Sequence, residues 1–323
     1  MLLEIGNLSV QYLSGEKKIP AVRDVSFSLE AGKSLGIVGE SGSGKSTLGL
    51  SLLSLIADYE GRIENGEIML DGKNLRNFSP DEMRAVRGKE IGIIFQDPFT
   101  SLNPTMKIGR QIEEAIRVHD PRAAKNALEE KTFHLLEEVQ LSETERLYES
   151  YPHQISGGQR QRAMIAMAVA NRPKLLIADE PTTALDVTVQ KGILDLLLQL
   201  QKNLGMALIL ITHHLGIVAN YTEDLIVMYA GEIVEKGKTK EILKNPQHPY
   251  TQALLRSLPS QKKGKGTRLE TIEGSLPDLT DLPSGCIFHP RCLRRVEECK
   301  VKVPDLRVLA GKNREVSCHL APF

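Results

Sequence analysis

One junction constrains the fold of this chain more than any other. Ser34-Leu35-Gly36-Ile37-Val38 is apolar enough for a buried strand, and Lys45 to Ile56 carries helical spacing. Between them stands Gly39-Glu40-Ser41-Gly42-Ser43-Gly44-Lys45-Ser46, which fits the pattern G-x-x-x-x-G-K-[ST]. The glycines let successive backbone N–H groups turn inward as an anion nest, and the following helix start adds partial positive charge. In such a loop Lys45 reaches the β- and γ-phosphates of a nucleotide and the Ser46 hydroxyl ligates Mg²⁺. Gly39, Ser41, Gly42, Ser43, Gly44, Lys45, Ser46 and Thr47 are the expected nucleotide-binding residues.

Further polar residues stand where apolar runs stop. Leu175-Leu176-Ile177-Ala178 leads into Asp179 and Glu180, and Pro181 ends the strand. Asp179 is then placed to hold Mg²⁺ through water, and Glu180, freed from strand alternation, to act as general base on an attacking water. Gln96 ends the run Ile91–Phe95 and is a candidate for Mg²⁺ and the same water; His213 ends the run Leu208–Thr212 and is a candidate γ-phosphate sensor. Tyr12, in an early strand, is available to stack on adenine, although a tyrosine there is more commonly packing. Ile155-Ser156-Gly157-Gly158-Gln159 precedes a helix-like stretch and offers a second set of helix-start N–H donors. Since the first loop already covers the phosphates from its own side, this second set suits a nucleotide held by another subunit. An ordinary capped helix is the bland alternative.

The remaining chain is organised around these points. Alternating patterns over residues 1–30, broken by Gly15, Pro20 and Gly32, predict antiparallel hairpins. Residues 60–96 return to strand and turn signals. From about Pro104 to Ala170 the pattern is helical, with Leu128, Leu135, Leu136 and Val139 on one buried face. Strand–helix–strand over Leu175–Thr212 predicts parallel pairing. Residues 259–285, rich in Lys, Gly, Pro and Asp, read as a linker or irregular arm. The 323 residues carry 41 basic and 41 acidic side chains, which argues against a general nucleic-acid coat. No apolar run approaches the ~20 residues a bilayer span needs, and the first residues lack the pattern of a signal peptide. A cytoplasmic protein is expected, peripheral if it serves a membrane.

Taken together, the motifs resemble those of the ATP-binding cassette (ABC) ATPases. Gly39–Ser46 is similar to Walker A, Gln96 to the Q-loop, Ile155–Gln159 to the signature motif, Leu175–Glu180 to Walker B, Ala184-Leu185-Asp186 to the D-loop and His213 to the switch histidine. Ile155 stands where the family usually has Leu, and His214 where many members have Asp. The resemblance implies an α/β P-loop NTPase cassette over residues 1–240, with an antiparallel β subdomain and a helical insertion at about 104–170. It implies ATP hydrolysis with Mg²⁺ held by Ser46, Gln96 and Asp179, and catalytic roles for Glu180, His213 and Gln96. It also implies head-to-tail dimers in which Ser156, Gly157, Gly158 and Gln159 meet the partner's ATP. A finer resemblance, in Asp97–Pro104, Tyr151–Gln154, Asn245–Thr251 and the tail, is to the dipeptide/oligopeptide importer ATPases. That implies a second ATPase subunit (a paralogue or an identical copy), two permease subunits, an extracytoplasmic solute-binding protein and a place on the cytoplasmic face of the membrane. The stretch Phe99–Gln111 is the implied contact with the permeases. Nickel or another solute is the alternative cargo. A DNA-repair or translation ATPase is the rival class, disfavoured by a single cassette without long heptads.

Cys286, Cys292, Cys299 and Cys318, with His289 and His319 nearby, fall in a C-terminal extension, residues 241–323, after 285 cysteine-free residues. A cytoplasmic location argues against disulfides, and four scattered structural thiols are the bland alternative to a metal site. Zinc sites commonly use C-x2-4-C pairs, absent here, so the spacing favours a [4Fe–4S] cluster over Zn²⁺. Its expected role is structural, with redox sensing as the alternative.

Overall fold

The chain opens as an antiparallel pair, β1 (Leu3–Ser14) with β2 (Lys17–Leu29), in register from Leu3↔Leu29 to Ser14↔Lys17 with bulges between. This computed structural model describes residues 1–15, 17–183, 185–257, 272–310 and 313–322; Glu16, Ala184, 258–271, 311–312 and Phe323 lie outside it, as do the side chains of Pro98 and Phe99. Two compact units are present. One comprises Met1–Leu29, Ser34–Arg76 and Leu210–Phe323; the other comprises Glu30–Lys33 and Asn77–Ile209.

In the first unit β1 alternates buried and exposed residues, as a half-covered strand must. The wholly buried β3 (Ser34–Val38) follows, then α1 (Lys45–Ser51), shorter than its apolar spacing predicts because the chain turns at Leu52–Leu55. β4 (Gly61–Leu70) pairs antiparallel with β1 and with the two-residue β5 (Lys73–Asn74), so the antiparallel subdomain is present in the order β2-β1-β4-β5.

The second unit begins with a helix where residues 60–96 lead one to expect only strands and turns: α2 (Pro80–Val86). Its cause is local. Ser79 Oγ accepts from the Glu82 N–H, the Glu82 carboxylate accepts from the Ser79 N–H, and Pro80 fits the first turn. β6 (Ile91–Ile94) stops two residues before Gln96. Helices α3 (Pro98–Ser101), α4 (Ile108–Arg117), α5 (Lys125–Glu138), α6 (Thr144–Glu149) and α7 (Gly157–Val169) follow. Leu128, Leu135, Leu136 and Val139 are all buried, as their spacing predicts. β7 (Leu175–Asp179) is buried throughout and pairs parallel with β6 from Ile91↔Leu175 to Ile94↔Ala178. α8 (Val187–Leu204) ends at left-handed Gly205, φ 64°.

β8 (Ala207–Thr212) carries the chain back into the first unit. There α9 (Leu215–Tyr221) packs on β3: a Cβ on Gly36 would stand 2.9 Å from Val218 Cγ1. β9 (Asp224–Tyr229) pairs parallel with β3 and antiparallel with β10 (Glu232–Lys238). After α10 (Thr239–Lys244), α11 (Pro249–Arg256) and α12 (Glu298–Val301), the short β11 (Arg307–Val308) pairs with β12 (Arg314–Val316), and β12 pairs with β10. The end of the chain thus extends the same sheet that holds β3. Arg314, buried, forms an ion pair with buried Glu235 of β10, whose carboxylate also accepts the N–H groups of Gln247 and His248. That satisfies a charge which would otherwise be costly to bury. Among the described residues no helix is long and apolar enough to cross a membrane.

Candidate functional site

In the first unit the phosphate loop leaves β3 and turns at Gly42 and Gly44, with φ 81° and 98°. Both values lie in the left-handed region where a side chain costs energy. Close approach adds a second constraint: a Cβ on Gly39 would stand 2.3 Å from Met228 O, and one on Gly44 would stand 2.2 Å from Ala21 O. Ser43 is buried, and its carbonyl accepts the Gly231 N–H at 3.0 Å. Lys45 is buried too; its Nζ donates to the carbonyls of Gly39 at 2.9 Å and Glu40 at 2.8 Å, so the ammonium lies under the loop it serves. Ser46 and Thr47 follow, half-buried, in the first turn of α1. Tyr12 lies half-buried in β1, opposite Ile19 and Gly61. His213 is exposed just past β8, its ring 4.1 Å from that of His214.

In the second unit the parallel register does the positioning. Ile94 faces Ala178, so Gln96 and Glu180 leave the same end of neighbouring strands, and Gln96 Nε2 donates to Glu180 Oε2 at 3.1 Å. Thr183 Oγ1 donates to the same oxygen at 3.1 Å. Glu180 adopts φ 45°, an unusual value for a residue with a side chain, and this turn rather than strand alternation separates it from buried Asp179. A tethered carboxylate of this kind can accept a proton from a water molecule beside it.

Ser156 caps α7. Its Oγ accepts from the Gln159 N–H at 3.3 Å, and Gln159 Oε1 accepts from the Ser156 N–H at 3.0 Å. The Gln159 side chain therefore serves the cap. The Ser156 hydroxyl, exposed, keeps its own proton to donate, and the first-turn N–H groups of Gly157 and Gly158 have no acceptor within the helix. Asp186 caps α8, accepting the N–H groups of Thr188 at 3.1 Å and Val189 at 3.0 Å. A Cβ on Gly158 would stand 3.1 Å from Val189 Cγ1, and one on Gly157 would stand 3.5 Å from Leu185 Cδ2, so these two helix starts pack together. Ala184 lies outside the described residues.

Cys286, Cys292, Cys299 and Cys318 are buried and none is in a disulfide. Burial pushes the Cys286 thiol up to about 11 and raises those of Cys292 and Cys318, with nearby cysteines adding to the effect. The Phe288, Arg294 and Leu320 backbones act the other way, by hydrogen bonds that favour thiolate. His289 Nδ1 lies 3.0 Å from Cys286 O and His319 Nε2 lies 2.8 Å from Lys302 O. Among the described residues no group of three or more His, Cys, Asp or Glu side chains is arranged to hold a metal ion. The donor chemistry suits a thiolate-bound group, while the packing of the thiols is that of an apolar core.

Three residues in these arrangements were not identified from the sequence: Thr183, which donates to Glu180, Tyr250, whose hydroxyl accepts the Glu40 N–H of the loop, and Arg291, which donates to the Glu40 carboxylate. Thr183 follows Glu180 closely enough to have been found. Tyr250 belongs to the Asn245–Thr251 motif, but nothing local says what its hydroxyl touches. Arg291 carries no sequence signal.

A loop, a tethered acid and an exposed capped helix start of this kind define a nucleotide-hydrolysing cassette. The chain belongs to the ABC transporter family, whose pattern it matches over residues 22–183. Residues 234–299 match the oligopeptide/dipeptide transporter C-terminal region. It is 48% identical over 320 residues to the dipeptide transport ATP-binding protein DppD of Haemophilus influenzae, covering 98% of this chain and 95% of that one. To DppD of Escherichia coli it is 46% identical over 318 residues, covering 98% and 96%. Among solved structures, the ATP-binding cassette MJ0796 in a dimeric post-hydrolysis state bound to ADP and Pi is similar at TM-score 0.65 and 28% identity, covering 73% of this chain and 98% of that one. The protein is an ATPase of the cassette type.

Proposed function

We propose that this chain is the ATP-hydrolysing subunit of an importer that takes up di- or oligopeptides. The observation that carries the reading is the second match, residues 234–299, because that region lies outside the general cassette and is described for oligopeptide and dipeptide transporters. Relatives along nearly the whole length bear dipeptide-transport names, which supports the same cargo. Residues 1–240 form the cassette, with its helical insertion at about 104–170, and 241–323 the transporter-specific extension. ATP lies on Gly39–Thr47, with Tyr12 toward the base. Ser46, Gln96 and, through water, Asp179 hold Mg²⁺, which neutralises charge on the phosphates. Glu180 takes a proton from the attacking water, Gln96 orients that carboxylate, and His213 senses the γ-phosphate.

The exposed Ser156 hydroxyl and the N–H groups of Gly157 and Gly158 serve an ATP on a second ATPase subunit, and Asp186 lies beside that contact. Two permeases receive the stretch Phe99–Gln111, and the assembly sits at the cytoplasmic face of the membrane. Cys286, Cys292, Cys299 and Cys318 hold a [4Fe–4S] cluster. Four buried cysteines in one C-terminal region, none in a disulfide, support it. When bound, the cluster would cross-link Cys286, Cys292, Cys299 and Cys318.

Three experiments test this. The tagged chain, purified from membranes with its neighbours, is expected to bring polytopic permeases, and cells lacking it to lose uptake of labelled dipeptide. Intact peptide uptake with lost nickel uptake would overturn the cargo. Anaerobic protein is expected to be coloured and to contain iron and sulfide in equal amounts; colourless protein with stoichiometric zinc would overturn the cluster.

A further inference from the structure

Glu40 occupies the first variable position of the phosphate loop, where neither phosphate chemistry nor the turn calls for a carboxylate. An anion there repels the phosphates unless something neutralises it. Arg291 does so. Its guanidinium makes two hydrogen bonds to the Glu40 carboxylate, Nη1 to Oε2 at 2.7 Å and Nη2 to Oε1 at 3.1 Å. The Arg291 side chain is 7% exposed and that of Glu40 is 28% exposed, so the pair is only partly screened by water. Arg291 is itself braced: Nε donates to Glu273 O at 2.9 Å, and the guanidinium carbon lies 5.8 Å from the centre of the Tyr229 ring. The Glu40 N–H donates to Tyr250 Oη at 2.8 Å, and Tyr250 packs against Tyr229 and Phe288. With Lys45 on the Glu40 carbonyl, this one residue is gripped at carboxylate, N–H and C=O.

We infer that Arg291, with Tyr250 beside it, is a positioning residue for ATP binding: it neutralises Glu40 and holds the loop in the shape that presents its N–H groups to the phosphates. The C-terminal region thereby enters the nucleotide site through a residue remote in sequence. The inference rests on the ATPase activity and is independent of the cargo and of any cluster.

The test uses the full-length chain, equilibrium titration with Mg-ATP and steady-state turnover. Arg291→Ala is expected to weaken ATP binding about tenfold, the scale of a lost charge-assisted pair, with turnover at saturating ATP within about twofold of wild type. Adding Glu40→Gln is expected to recover most of that affinity, because the unpaired carboxylate is gone. Arg291→Lys, which keeps the charge and the apolar stem but not the fork, is expected to fall between wild type and Arg291→Ala. It also serves where the alanine variant fails to fold. Unchanged affinity in Arg291→Ala, or in Arg291→Lys where the alanine variant does not fold, overturns the proposal. So does a double variant no better than Arg291→Ala, since a purely structural arginine is not rescued by a change at Glu40.

Discussion

Glu180 acquires its position from an uncommon backbone angle, φ 45°, and from two donors, Gln96 and Thr183, on one carboxylate oxygen. Glu180→Gln preserves shape and can still hydrogen-bond, but it cannot accept a proton from water. Nucleotide binding is expected to persist while turnover falls by about 10²–10⁴-fold, the usual worth of a general base. A phosphate-release assay beside a binding titration checks both halves, and undiminished turnover would take Glu180 out of the role. The sequence announces this residue through Pro181, which stops the strand. It does not announce the means, since a positive φ at a non-glycine residue has no local signature, and the Gln96 contact spans 84 positions.

At the level of elements, the start of α7 has one observed task, a cap, and one proposed task, donation to a partner's ATP. Ser156 closes a capping box, and its exposed hydroxyl proton remains available. Ser156→Asp separates them, because aspartate caps a helix as well as serine does but donates no proton and carries a charge against phosphate. The melting temperature is expected to hold, while ATPase activity falls by about a hundredfold or more, the scale of a lost donor to developing charge. Retained activity would reduce Ser156 to a cap. The reading of Ser156 as a cap holds, and serving as a cap does not compete with the role proposed for its hydroxyl. Elements with a strong period, such as β3, β7 and α8, are legible from apolar spacing alone. The helix α2 is not, because its seven residues are too few to show a period, and only the reciprocal Ser79–Glu82 pair marks it.

Across the molecule, His248 links stability to pH. Its imidazole is buried, and burial lowers its pKa from 6.5 to about 3. The unfolded chain takes up a proton as pH drops below 6.5, whereas the folded one resists until about 3. Stability from this group is thus complete above 6.5 and is lost as pH falls through that window. Denaturant unfolding at about pH 7 and pH 5 is expected to show a drop about 2 kcal/mol larger in wild type than in His248→Asn, which keeps an acceptor for the Tyr250 N–H. Equal drops would exonerate His248. The motif holding His248 and Tyr250 stands out in the sequence by resemblance, yet its physics is long-range. Tyr250 meets Glu40 across 210 positions and Arg291 meets it across 251, distances at which no local pattern carries information.

That last contact bears on how the protein can be cut. A fragment ending near residue 240 would keep each cassette motif and would pass for a self-sufficient domain. It would also lack Arg291 and Tyr250, expose the Glu40 carboxylate to incoming nucleotide, and leave β10 without β12 along its edge. Binding constants measured on such a fragment would describe the fragment alone.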